Sequence, residues 1–315
     1  MNGTALKRHA VQGFAAITLR NKDVHATIIP ALGARIVSLR SAAGTREWLW
    51  HPEDGRGLFV CAENTPFENS PLAGIDECLP SVLPCAVDGV PIPDHGEVWS
   101  RAWTCEVAED TDRAVTTTIA LRSLPLTFTR RVSLSRNVIH LDYTLLNTGA
   151  RALSYLWALH PLFTLESKDE IELFGESGVV VTGAQGSVLS TGDRGSWPSP
   201  RLGSRLDRAD TGPVAGGPEM SYCKAFLDSS RAAGIALVDR ARGERLTLTV
   251  DPVELPAWGY WVTRGGWHGH THIALEPSNA AADSLAELTK GAAASTLSAK
   301  ASRSWSVKIK LDTDI

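Results

Sequence analysis

No stretch of this 315-residue chain approaches the roughly 20 apolar residues of a membrane span. Met1 to Thr18 lacks the long apolar core of a signal peptide. There is no excess of basic charge: 31 Lys and Arg against 35 Asp and Glu give a net −4, unlike a protein built to grip nucleic acid or an anionic membrane. The five cysteines contain no C-x-x-C pair and are odd in number, which excludes a simple disulfide framework and fits a reducing compartment. A cytoplasmic protein is expected, monomer or homodimer, without nucleic-acid or membrane partners. Helical periodicity is scarce as well. Ala280 to Leu288 is the one clear helix candidate, and the missing β-α alternation argues against Rossmann-like and TIM architectures. No internal repeat or break in composition marks a linker, so residues 1–315 are read as one domain.

What the chain has is short strands and tryptophan. Val24 to Pro30, Arg35 to Arg40, Ala114 to Leu121, Ile235 to Val238, Arg245 to Val250, Gly259 to Thr263, Thr271 to Leu275 and Ser304 to Leu311 are β-branched or alternating. Leu126 to Ser135 and Val138 to Leu146 read as a hairpin through Arg136-Asn137, with Asn supplying the positive φ. Glycine and proline are frequent, 27 and 17, and place turns between the strands. This spacing predicts an all-β sandwich or barrel. Arg194 to Gly217, rich in Gly, Pro, Ser and Arg, reads as a long loop. The ten tryptophans are mostly expected in the core, but their flat rings also suit sugar faces.

Five segments carry candidate chemistry. PDHGEVW places His95 on a glycine-containing loop between Asp94 and Glu97, with Trp99 close behind. WALHPLF puts His160 after an apolar run, where Pro161 is expected to close the strand. In THIALEP, alternation sets His272, Ala274 and Glu276 on one face, with Pro277 expected to end the strand. A carboxylate there is costly to bury unless paired or protonated, which marks Glu276 as a functional candidate. WHGHTH spaces His268, His270 and His272 by two on a presumed strand, without the mixed spacing of a zinc site, so no metal is expected. AGIDECLP sets Asp76 and Glu77 in what reads as a loop.

Taken in order, these segments resemble the aldose 1-epimerase (galactose mutarotase-like) family. IIPALGARIVSLRSAAGTREWLW is similar to its first strands. GIDECLPSV with DHGEVW, ALHPLFTL and HIALEPSNAAADSL resemble the stretches carrying its two histidines and its carboxylate, over about residues 15 to 311. The resemblance implies a large twisted antiparallel β-sandwich with an open sugar site and no cofactor. It implies interconversion of the α and β anomers of a free monosaccharide. Glu276 would then be the base at the anomeric hydroxyl, His160 the acid at the ring oxygen, and His95 a hydrogen-bonding partner of the sugar. Trp99 joins them as a candidate sugar contact.

Departures bear on the substrate. The G-R-x-x-N-R stretch of the galactose-acting branch is replaced by ENTPFENSPLAGIDECLP. The hydroxyl-binding Asp has only Asp228 as a candidate, and Asp76 could share that work. Arg194, Arg201, Arg205 and Arg208 leave a phosphorylated or sulfonated sugar open. A non-catalytic carbohydrate-binding protein on the same fold is the other alternative. For the enzyme, a bell-shaped pH profile is expected, its histidine limb raised by a nearby carboxylate.

Overall fold

In the computed structural model, the described residues are 3–53, 55–108, 113–166, 169–175, 177–186, 189–197, 220–228, 232–290 and 295–315. They form two antiparallel sheets, of eleven and eight strands, with two small two-stranded ribbons beside them. The central strands of the larger sheet run in the order Arg35–Ser41, Ile75–Cys78, Ala158–Thr164, Thr271–Ser278, Ala257–Arg264 and Ser221–Asp228. The period of two along each strand decides what faces where. Leu159, Tyr260, Val262, Ile273 and Leu275 point between the sheets and join Phe128, Leu141, Ile235 and Val307 of the smaller sheet in one buried cluster. Residues of the opposite parity look outward, and that outer face carries the polar groups described below.

Seven of the ten tryptophans lie in the interior: Trp48, Trp50, Trp99, Trp103, Trp157, Trp258 and Trp305. Trp261 and Trp267 are only half-buried. Strands occupy every segment predicted to be extended, often with slightly longer bounds. The hairpin is Leu126–Ser135 against Val138–Asn147, but its left-handed residue is Arg136 (φ 55°). Asn137 instead uses its side-chain amide to bind the Leu311 carbonyl and the Asp312 carboxylate. Among the described residues no helix is long and apolar enough to cross a membrane.

Four expectations change. Asp76 and Glu77 lie on the central strand Ile75–Cys78, not in a loop, because Asp76 meets the buried Arg35 of the neighbouring strand and Glu77 meets the buried Arg130 of the smaller sheet. Neither Pro161 nor Pro277 ends its strand: Ala158–Thr164 and Thr271–Ser278 run through them. The missing donor of Pro161 falls where pairing with Thr271–Ser278 passes from Ala158↔Ser278 to Leu162↔Ala274. The helix covers Leu285–Lys290 only, since the Asp283 carbonyl accepts the Val82 and Leu83 amides and Ser278 and Asn279 bind strand backbone. Arg194–Trp197 is a strand paired with Ser177–Val180. The rest of the predicted loop, with Arg201, Arg205 and Arg208, lies outside the described residues.

Candidate active site

A row of polar side chains crosses the outer face of the larger sheet. Asp76 pairs in register with His160, and Glu276 with Gly259. The bracketing pairs Ala158↔Ser278 and Leu162↔Ala274 set His160 beside Glu276. Their side chains meet, His160 Nε2 lying 3.7 Å from Glu276 Oε1. Gly259 makes room for this carboxylate: a Cβ there would stand 2.6 Å from Glu276 Oε2.

Above the row sits a loop whose shape aims His95 inward. His95 and Gly96 are both left-handed (φ 57° and 69°), and a Cβ on Gly96 would lie 2.0 Å from the Leu79 carbonyl oxygen. Asp94 clamps the arrangement, meeting His95 Nδ1 at 2.8 Å with one oxygen and accepting the Phe67 amide at 2.8 Å with the other. Phe67 stacks on the His95 ring at 4.0 Å, and His95 in turn meets His160 edge-on at 5.1 Å. Burial pushes the Asp94 carboxyl up, but the hydrogen bond and charge of His95 outweigh it and hold the carboxyl below its usual value. Glu97 points elsewhere and ties the loop to Arg101, Arg122 and Ser123.

Together these groups enclose a pocket of about 290 Å³. His95, His160 and Glu276 line it with Lys224, His272, Trp261 and Trp267. Lys224 Nζ lies 2.7 Å from Asp283 Oδ1. Burial pushes the Glu276 carboxyl up to about 7, with Lys224 opposing and Asp283 adding to the shift. Burial also drives His160 well below the usual histidine range, aided by His95, Lys224 and His272. This reverses the expected raised histidine. Two charges at 3.7 Å would each favour the other, yet burial favours the neutral form of each, the carboxylic acid of Glu276 and the free imidazole of His160.

The other candidates fall elsewhere. Asp76 is 1% exposed, an ion-pair partner of Arg35 at 2.8 Å beneath the pocket rather than in its wall. Burial lifts its carboxyl to about 6 against Arg35 and Arg130. Trp99 is buried behind the site, donating its indole N–H to the Asp94 carbonyl and meeting the Phe67 ring edge-on at 5.2 Å. It supports the loop and does not line the pocket. Asp228 ends the Ser221–Asp228 strand opposite Ala257, and its side chain lies outside the described residues. His268 and His270 precede the strand that holds His272, and His268 pairs with Glu68 at 3.1 Å. Among the described residues, no cluster of His, Cys, Asp and Glu is arranged to hold a metal.

Sequence reasoning passed over Lys224, Phe67 and the pocket roles of His272, Trp261 and Trp267. A lone lysine between Cys223 and Ala225 in an alternating segment is a legible signal for Lys224. Phe67 reaches the site only through its contact with Asp94 and His95, which no local pattern encodes.

The profile of the aldose 1-epimerase family matches residues 15–287. A galactose mutarotase-like protein from Clostridium acetobutylicum superposes with a TM-score of 0.70 at 14% identity, covering 99% of each chain. One from Lactobacillus casei gives 0.59 at 18% identity, over 94% of this chain and all of that one. A galactose mutarotase related enzyme from Lactobacillus acidophilus gives 0.65 at 14% identity, over 94% and 97%. At these identities the superpositions speak for the fold alone. No curated protein matches the sequence. The family match takes in the segments of His95, His160 and Glu276 and most of both sheets, and the chain belongs to the aldose 1-epimerase family.

Proposed function

We propose that the protein is a cofactor-independent aldose 1-epimerase that interconverts the α and β anomers of a free monosaccharide. The observation that carries this reading is the Glu276–His160 pair, 3.7 Å apart on the floor of a pocket of monosaccharide size. A purely binding protein on this fold would need the aromatic wall but not an acid–base couple with displaced pKa values.

Ring opening removes the proton from O1, forms the C1–O1 double bond, breaks C1–O5 and delivers a proton to O5. In the reacting form, the Glu276 carboxylate takes the O1 proton while the His160 imidazolium gives its Nε2 proton to O5. The pair then stands as carboxylic acid and neutral imidazole. Burial favours that form, since it raises Glu276 and lowers His160, so desolvation pushes both protons in the direction of ring opening. Rotation about C1–C2 and the reverse transfers close the other anomer. Acid–base assistance of this kind supplies roughly 10²–10⁴-fold in rate. His95, fixed by Asp94 and Phe67, holds the sugar over the pair.

The active pair carries one proton in total. The pH profile of kcat/KM is therefore bell-shaped, with Glu276 setting the alkaline limb near 7 and His160 setting an acid limb well below 6.5. Polarimetry or saturation-transfer NMR on a panel of free aldoses tests the activity directly. Exchange no faster than the buffer rate for every sugar would reject it in favour of a binding protein.

A further inference from the structure

We propose that His272 recognises a neutral hydroxyl at the non-anomeric end of the substrate, so that the pocket takes an unsubstituted monosaccharide rather than a phosphate or sulfate ester. The proposal rests on the epimerase reading for the orientation of the sugar.

His272 lines the pocket wall and is 1% exposed, yet neither ring nitrogen has a hydrogen-bond partner. Two buried, unpaired ring nitrogens are costly unless a ligand meets them. The ring is held in place by Trp50, whose centroid lies 4.6 Å away, so a ligand finds it already oriented. Its position along the strand fits the length of a sugar. His272 and Glu276 share a face four residues apart, a span of about 13 Å at ~3.3 Å per residue. One hydrogen bond of ~2.8 Å at each end leaves roughly 7 Å, room for one pyranose ring and not for two.

The chemistry at the distal end fits a hydroxyl. Burial drives His272 down to about 3, so it meets the ligand as a neutral imidazole with one donor and one acceptor. A sugar hydroxyl can accept from the N–H or donate to the bare nitrogen, so it suits whichever ring nitrogen faces the pocket. A sulfate or a fully ionised phosphate can only accept, so it could use only the N–H and would gain no counter-charge from a neutral ring. Among the described residues lining the pocket, the one lysine or arginine is Lys224, already paired with Asp283 and close enough to Glu276 to oppose its shift. Asp94 and Glu68 add negative character to the pocket lining.

The test is anomer exchange by the full-length protein on D-glucose and D-galactose, their 6-phosphates, and their 4-deoxy and 6-deoxy analogues. His272→Phe keeps the ring and deletes both nitrogens, and His272→Gln serves if the first variant misfolds. For the neutral sugars KM should rise about three- to ten-fold, the loss expected for one neutral hydrogen bond, with kcat within a factor of two. One deoxy analogue should show the same penalty on the wild type and no further loss on His272→Phe. An unchanged KM in a folded variant, or better turnover of the 6-phosphates than of the free sugars, overturns the proposal. Should the wild type exchange no anomers, the epimerase reading fails instead. Sugar binding to wild type and His272→Phe, followed by NMR titration, then decides the role of His272 alone: weaker binding to the variant upholds it, and equal binding rejects it.

Discussion

Glu77 and Glu276 lie two strands apart in the same sheet, are buried to 0% and 5% exposure, and are both pushed up to about 7 by burial. Their surroundings differ completely. Glu77 points between the sheets and is saturated with donors: Arg130 at 3.0 Å, the Tyr143 hydroxyl at 3.0 Å and the Trp157 indole at 2.9 Å. Glu276 points outward into the pocket, with His160 at 3.7 Å and no closer protein donor recorded among the described residues. A displaced pKa therefore does not separate a structural carboxylate from a functional one. The inventory of partners does. Glu77 has nothing left to offer a ligand, whereas the Glu276 carboxyl group is left for a ligand to meet.

Exchanging each glutamate for glutamine should break the two sites in opposite ways, and these are the largest effects expected. Glu77→Gln leaves the Arg130 guanidinium buried without its counter-charge. Breaking such a pair costs about 3–5 kcal/mol, a large share of a typical ~5–15 kcal/mol stability. Denaturant unfolding should show that loss, with kcat per folded molecule preserved. Glu276→Gln should lower kcat by roughly 10²–10⁴-fold without destabilising the fold. The sign of its pH dependence follows from the raised carboxyl. Below the ordinary glutamate value of 4.5 both folded and unfolded chains hold the proton, and between there and about 7 the folded chain alone holds it. Wild-type stability therefore falls over that window, and the penalty is complete above it. The glutamine variant should match wild type in Tm near pH 4 and exceed it near pH 8. A lower Tm at both would show that Glu276 is a structural group after all.

The two histidines sharpen the same comparison at the next level of effect. His160→Asn removes the acid and should cost about 10²-fold in kcat. Base catalysis by Glu276 is then all that remains, so residual activity should rise through pH 7 where the wild type falls. Retention of the wild-type fall would assign the proton donor elsewhere. His95→Asn loses the stack on Phe67 and a contact to the sugar, and should act mainly through KM.

Glu276 was more legible in the sequence than Glu77, and the reason is physical. A carboxylate between apolar neighbours in THIALEP stands out because the alternation around it is clean. Asp76 and Glu77 are adjacent charges and erase the strand signal, and their partners Arg35 and Arg130 are 41 and 53 positions away along the chain. Trp99 was expected to face a sugar on the strength of its ring, but its indole N–H is used by the Asp94 carbonyl inside the loop. The strands themselves were largely readable from period and turn residues. The pairing order that sets His160 beside Glu276 is non-local and became visible only in the folded sheet. The direction of the His160 shift was misjudged for the same reason: the sequence offers a neighbouring carboxylate but not the burial that outweighs it.

The smallest expected effect lies in the pair next to Glu276. Lys224 and Asp283 are 2.7 Å apart, and they act on the Glu276 carboxyl with opposite sign, the lysine lowering its pKa and the aspartate raising it. If Glu276 sets the alkaline limb, each partner should move that limb without abolishing activity. Asp283→Asn removes the like charge and leaves the ammonium wholly to Glu276, so the limb should shift to lower pH by about one unit or less. Lys224→Met removes the opposing cation, and the limb should shift upward by a similar amount. No such movement is expected from Asp142→Asn, on the smaller sheet and half-exposed beside Arg131. The measurement is kcat/KM across pH 5 to 9 for the three variants and wild type at constant ionic strength. Shifts of opposite sign for the two pocket variants would identify the titrating group as Glu276. A limb that stays fixed in both would mean that its alkaline half reports a group other than this carboxyl, and the one-proton mechanism would fall with it.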